Sequence, residues 1–377
     1  MMRRWRTLRV MPVVASCIAV ILGGLAVGCG GADQSGTSAS PTPTLTVTAT
    51  TSASPTTSKP SPEPGLTRSK VVLVREFADG QRVLVAYDFS TGRSRRLVDL
   101  SRDEDPTVSP DGTQVVLMRA NGPWQDPRDH EWLAKSGSHL VLIDLVDGGE
   151  TVLTDIPSGQ KVSSPEWNRS DGWIYFLGPV GRSATGLVRL NPDTMQREPV
   201  PHGRGVTRFV LEPDGTHALI SVADVWCRTV QLPLDKCQTP REWRLDLGTG
   251  SFRRHPVQAF EADLAWTPTG SRLAAIQGGG GAGLYTTNQP SSWFGPRNLL
   301  YAAVWDLPSS ITHFTGVAWE PDGSHVVLGA REGRIRRLSP VFDRWYVSLI
   351  DRRTAERTDI TPPGAADTSF DVWWPEG

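Results

Sequence analysis

The chain has 377 residues, 21% of them charged, and a formal net charge of −1. That balance leaves no basic surplus for a nucleic acid and no acidic run for a solvating tail. Thirty-seven glycines, 30 prolines and 14 tryptophans suit many short strands joined by turns better than a helical chain.

The first segment reads as an address. Arg3, Arg4, Arg6 and Arg9 precede an apolar run from Val10 to Val27, which ends Leu25-Ala26-Val27-Gly28-Cys29-Gly30-Gly31. Small residues before a cysteine resemble a bacterial lipobox. The resemblance implies a signal peptide over 1–28, cut before Cys29, with a lipid on the Cys29 thiol. The alternative is an uncleaved membrane span, since about 18 apolar residues just cross a bilayer. Either reading places the rest of the chain outside the cytoplasm. Only five lysines (Lys59, Lys70, Lys135, Lys161 and Lys236) stand among 39 basic residues, the bias of a high-GC genome of the actinobacterial kind.

Residues 29–66 are rich in Ser, Thr, Pro and Ala and offer too little apolar surface to offset the entropy of ordering. They read as a disordered tether biased to polyproline II, at roughly 3 Å per residue, with a reach on the order of 100 Å.

From residue 67 a signature recurs. Val108-Ser109-Pro110-Asp111-Gly112, Leu211-Glu212-Pro213-Asp214-Gly215, Trp266-Thr267-Pro268-Thr269-Gly270 and Trp319-Glu320-Pro321-Asp322-Gly323 are each followed by a short apolar run. A looser copy spans Trp167 to Gly172. Proline ends a strand because it cannot donate to the ladder, and Asp-Gly supplies a tight turn. A second mark closes a later strand: Tyr87-Asp88, Ile143-Asp144, Leu190-Asn191, Leu245-Asp246, Trp305-Asp306 and Ile350-Asp351. Each unit is therefore four strands, A to D, over roughly 45–60 residues, the size of a propeller blade. Asp371-Val372-Trp373-Trp374-Pro375 is another strand A, and Lys70–Val74 reads as a strand B lacking one. Pairing the two closes an all-β, six-bladed propeller of four-stranded antiparallel blades over 67–377.

The repeated Trp/Ser-Pro-Asp-Gly core resembles the TolB-type, WD-repeat-like propeller family. That resemblance implies a binding role in the cell envelope. It does not extend to the N-terminal α/β domain of TolB itself, whose place the tether takes.

Connectivity puts the B–C and D–A loops on one face. Four long B–C segments are expected there: Ala120–Ser138 with Trp124, Arg128, His130 and Trp132; Ala223–Pro240 with Trp226; Gln277–Arg297 with Tyr285, Trp293 and Phe294; and Ala330–Asp343 with Arg331, Arg334, Arg336, Arg337 and Phe342. Trp, Tyr and Arg dominate interface energetics, so Trp124, Arg128, Trp132, Trp226, Trp293, Phe294, Arg334 and Arg337 form a candidate binding face for an envelope protein, peptide or glycan. The alternative is that these loops pack on one another and plug the channel. Trp167, Trp266, Trp319 and Trp373, at blade spacing, read as packing between blades.

Cys227 and Cys237, about ten residues apart, read as a disulfide in an exported protein, worth about 2–3 kcal/mol, or else as two free thiols. No catalytic motif is present: there is no Gly-x-Ser-x-Gly elbow, and the glycine run 278–281 lacks a following Gly-Lys-Ser/Thr. Asp105, Arg208, Asp263 and Asp371 fall at strand A entrances facing the channel, where the aspartates could hold Ca²⁺. The favoured expectation is a monomeric, membrane-tethered, non-catalytic binding module without a cofactor. The alternative is a channel-centred enzyme: a metal-dependent lactonase, a lyase or a sugar dehydrogenase.

Overall fold

The structure is a computed structural model. The chain divides into two units, residues 1–59 and 60–377. The structure describes residues 66, 68, 70–121, 137–154, 156, 160–181, 184–222, 230, 241–258, 264–277, 282–287, 299–303, 310–336 and 339–375, all in the second unit.

Among the described residues there are strands, turns and no helix. Sheet I begins with β1 (Lys70–Phe77), β2 (Arg82–Asp88) and β3 (Arg93–Leu100). Sheet II holds β4 (Asp103–Val108), β5 (Gln114–Ala120), β6 (Ser138–Asp144) and β7 (Glu150–Val152). Sheet III holds β8 (Ser163–Trp167), β9 (Ile174–Val180), β10 (Ala184–Leu190) and β11 (Arg197–Arg204). Sheet IV holds β12 (Val206–Leu211), β13 (His217–Val222), β14 (Arg241–Asp246) and β15 (Phe252–Gln258). Sheet V holds β16 (Leu264–Trp266), β17 (Leu273–Gln277), β18 (Ala282–Thr287) and β19 (Leu299–Ala303). Sheet VI holds β20 (Ser310–Trp319), β21 (His325–Arg336), β22 (Ser339–Asp351) and β23 (Arg357–Asp359). The last strand, β24 (Ala365–Trp373), returns to sheet I, which runs β24-β1-β2-β3. The described residues thus form six four-stranded antiparallel sheets in a propeller-like arrangement.

The core is a set of interfaces between neighbouring sheets. In β1, Val72 and Val74 pack towards sheet II with Val115, Leu117 and Ile143, whereas Val71 and Leu73 pack towards sheet VI with Val327, Val347 and Leu349. Successive side chains of a strand point to opposite faces, so a strand covered on both sides must be apolar throughout. That is why the central strands read Val-Val-Leu-Val rather than alternating. Each fully buried Val or Leu contributes about 1.5–3 kcal/mol. Equivalent clusters join II to III, III to IV, IV to V and V to VI.

The turns follow the repeat. Gly112, Gly215, Gly270 and Gly323 close the A–B turns with φ between +65° and +73°, and each amide donates to the carbonyl three residues back. At the C–D turns the side chains of Asp88, Asp144, Asn191, Asp246 and Asp351 each accept from the backbone amides two and three residues on. The closing pair is also present, with Lys70 opposite Trp373 and Val72 opposite Asp371.

Three expectations need correction. Leu66, assigned to the tether, is buried between sheets I and II and donates its amide to the Gly112 carbonyl at 3.0 Å, so the fold already includes it. The segment Gln277–Arg297 is not one B–C loop. Ala282–Thr287 forms β18, so Tyr285 lies in a strand and Trp293 and Phe294 fall between β18 and β19, the C–D step. Trp305-Asp306 therefore does not end strand C of sheet V and lies outside the described residues. The segment Ala330–Asp343 is not a loop either: β21 and β22 continue through it, placing Arg334 opposite Val341 on one side and Ser310 on the other. Arg and Gly have modest strand preference, and here a ladder on both sides of β21 outweighs it.

Candidate functional site

The inner strands β4, β8, β12, β16, β20 and β24 wall a central cavity of about 1010 Å³. At the end away from the Pro-Asp-Gly turns, the inner strands carry irregularities at one level. The register shifts between Glu104 and Thr107, between Ser163 and Glu166, between Val206 and Arg208, between Phe314 and Gly316, and on β24 at Thr368. Such bulges bend a strand and re-aim its side chains. The result is a collar of Glu104, Asp105, Ser163, Ser164, Arg208, Thr315 and Thr368, all lining the cavity. Asp105 and Ser164 hold φ of +49° and +53°, and each precedes a proline. A bulky residue avoids that region and a following proline narrows the choice further, so each conformation costs on the order of 1–3 kcal/mol.

The collar is held from behind. Glu104 Oε2 accepts from the Thr368 and Ser369 hydroxyls at 2.8 and 2.9 Å, and its other oxygen pairs with Arg82. Arg208 lies within electrostatic reach of buried Glu242, whose carboxyl burial pushes up although the Ser221 hydroxyl and Arg208 pull it down. Trp345 lines the cavity beneath the guanidinium of Arg331, 5.3 Å from the ring centroid.

Deeper in the channel, side chains cap the free edges of the inner strands. Asp371 Oδ2 accepts from Val108 N at 2.9 Å, Thr107 Oγ1 from Trp167 N at 3.0 Å, and Glu166 Oε2 from Leu211 N at 2.8 Å. Each bond joins one sheet to the next, across I–II, II–III and III–IV. At the turn end, Arg169 of sheet III donates to the Trp374 carbonyl at 2.9 Å and lies 3.9 Å from the Trp374 ring centroid. Sheet II separates sheets I and III, so this pair spans part of the channel.

Asp371 also accepts from its neighbour Val372 N, so both its oxygens have backbone partners. Burial nevertheless pushes its carboxyl up to about 6 from its ordinary 3.8, against the backbone bonds and the charge of Arg169. The folded state therefore holds this proton more tightly than the unfolded state. The stabilisation is complete below the ordinary value and is lost as pH rises through about 6. Relative to Asp371→Asn, which keeps an acceptor for Val108, the wild type is expected to lose about 2–3 kcal/mol between pH 4 and pH 7. Urea unfolding of both proteins at the two pH values checks this.

The structure brings Asp105, Arg208 and Asp371 to one cavity. Asp371 bonds a backbone amide through each of its oxygens, and Asp263 lies outside the described residues. Trp124, Arg128, Trp132, Trp226, Trp293, Phe294, Arg337, Cys29, Cys227 and Cys237 also lie outside them. Among the described residues, one group could share an ion: Glu212, Asp214 and His217. Arg244 already bonds Glu212 at 2.7 Å and Asp214 at 3.3 Å, so these carboxylates have their cation. Trp345, Trp374, Arg169 and Glu166 were not singled out from the sequence. The one available signal was the polar residue just before the Trp position, Thr107 and Glu166, where other repeats have Val or Ala.

No family model matches the sequence, and no curated protein matches it. Among solved structures, TolB from Acinetobacter baumannii aligns over 82% of this chain and 67% of its own, with a TM-score of 0.57 and 16% identity. A putative TolB from Agrobacterium tumefaciens aligns over 83% of this chain and 100% of its own, with a TM-score of 0.51 and 13% identity. An oligogalacturonate lyase in complex with manganese aligns over 66% of this chain and 68% of its own, at a TM-score of 0.45 and 17% identity. The chain thus has a β-propeller fold similar to the two TolB structures.

Proposed function

We propose that this chain is an extracytoplasmic lipoprotein whose propeller is a binding module, with the six sheets as its six blades and the collared end of the channel as its binding mouth. The observation that carries the reading is the cavity itself: all six inner strands contribute to it, and a polar collar with two strained residues rings one end. Strain of that kind is retained where a site needs a side chain re-aimed. Binding is favoured over catalysis because Glu104, Glu166 and Asp371 are engaged in bonds that hold neighbouring sheets together. The N-terminus supplies the address: a signal peptide over 1–28, a lipid on Cys29, and a tether running to Leu66.

Two experiments test the two halves. Metabolic labelling with an alkyne fatty acid is expected to tag the protein in the membrane fraction, and Cys29→Ser to lose the tag; a tag that survives refutes the anchor. For the mouth, Thr315→Trp fills the collar whereas Thr315→Ser keeps its hydroxyl. Capture of an envelope component by the full chain should fail with the first and persist with the second. Equal capture by both would refute the channel as the site.

A further inference from the structure

We infer that Arg169 and Trp374 form a gate across the turn end of the channel, which makes the channel a blind pocket entered from the collared mouth while the pair is closed. Aligned turn by turn in the structure, both residues are exceptions. Where Arg169 stands, the other five sheets carry Pro110, Pro213, Pro268, Pro321 and Pro375. Where Trp374 stands, the other five carry Ser109, Asn168, Glu212, Thr267 and Glu320. Four of those polar side chains bond back within their own A–B turn. Ser109 accepts from Gln114 N, Asn168 from Ser170 N, Thr267 from Arg272 N, and Glu320 from the Ser324 hydroxyl. An indole offers no acceptor for such a bond. Breaks in a local rule are expected at functional sites, and here the two breaks touch each other.

The contact joins sheets that are not neighbours. Arg169 belongs to sheet III and Trp374 follows β24 of sheet I, with sheet II between them. The guanidinium donates Nη1 to the Trp374 carbonyl at 2.9 Å and lies 3.9 Å from the ring centroid. Its charge also reaches Asp371 on β24. Both side chains line the cavity, beside Ser170, Pro213 and Pro268 of sheets III, IV and V at the same end. One half of this bar is firmly seated. Asn168 donates to the Gly215 carbonyl at 2.7 Å and accepts from Ser170 N, which fixes the backbone on either side of Arg169. The other half has a pivot. Trp373 is buried and tied to the Ser109 carbonyl, whereas Trp374 lies just past the last residue of β24 and is partly exposed. A cation–π contact at a partly exposed site is weak, so the indole can swing aside while the ring stays whole.

The test reads access to the channel from each end. The reporter is Ala318→Cys in the full chain, on β20 between the collar and the gate and lining the same cavity. Maleimide uptake is followed by mass spectrometry of the peptide that carries the substitution. Thr315 is exposed at the collar, so Thr315→Trp narrows the mouth. With the gate closed behind the reporter, Thr315→Trp should slow uptake about tenfold. Adding Arg169→Ala or, separately, Trp374→Ala should restore most of the lost rate with an unchanged urea midpoint. Arg169→Lys keeps a cation over the ring and should leave uptake slow. The two alanine variants lie on different sheets, so loss of folding in one leaves the other as the test. Slow uptake that neither restores, or uptake that Thr315→Trp leaves unchanged, overturns the gate. The assay needs no captured component, so its outcome is separate from that of the binding reading.

Discussion

Arg75→Ala should cost the folded ring about 3–5 kcal/mol, read as a lowered urea midpoint with an unchanged slope. Arg75 on β1 holds Asp367 on β24 through two hydrogen bonds, Nε to Oδ1 at 2.6 Å and Nη2 to Oδ2 at 2.8 Å. The side chains are 5% and 0% exposed. Thr361 adds a hydroxyl bond to the same carboxylate at 2.6 Å, and its oxygen accepts from Val347 N of sheet VI. Removing the guanidinium leaves a carboxylate without a cation in a dry site, which costs far more than an exposed pair. The control is the double variant Arg75→Met with Asp367→Leu. It replaces both charges with apolar groups of similar length and should recover most of the loss. If the single variant loses under 1 kcal/mol, the pair does not hold the closing strand.

The second large effect belongs to Trp373. Its indole is 2% exposed, packs in the cluster between sheets I and II, and donates Nε1 to the Ser109 carbonyl at 2.9 Å. Trp373→Ala should cost about 3–5 kcal/mol through the cavity it leaves. Gly112, on the facing turn, provides an independent probe of the same contact. It sits at φ +73°, and a Cβ there would lie 2.5 Å from Trp373 Cζ2. Gly112→Ala therefore meets both backbone strain and a ring with no room to yield. Gly80→Ala shares the positive φ but meets nothing within 4 Å, and so isolates the strain alone. The difference between the two melting temperatures reports how firmly Trp373 seals the ring. Equal losses would mean that the ring moves aside freely.

The repeat made most of the scaffold readable. Proline, aspartate and glycine in series mark a backbone event with few solutions, and five of the six strand-ending Asp or Asn marks occupy the same turn role in the structure. The pairing of Trp373 with Lys70 followed because each chain end carried half of a unit. Where the repeat falls silent, reading fails. Ala282–Thr287 sits between a glycine run and Asn288-Gln289-Pro290, so a six-residue strand was absorbed into its flanks. Ala330–Arg336 has too many Arg and Gly to declare itself, because its strand is imposed by partners on both sides. Asp105, Arg208 and Asp371 could be placed in the channel since aligned repeats bring equivalent positions to equivalent walls. The bond from Arg169 to Trp374 could not, since it joins sheets that no spacing relates. Nor could the backbone at Asp105 and Ser164, because a residue before proline is ordinarily extended.

Closure by β24 also decides how this protein carries load. The chain enters the ring at β1, which is not an outermost strand: it is laddered to β24 on one flank and to β2 on the other. Tension arriving along the N-terminal segment therefore meets two rows of hydrogen bonds at once, plus the Arg75 clasp 292 residues away in sequence. Pulling from that end cannot peel a single border strand, so such a load is resisted where the molecule is doubly stitched.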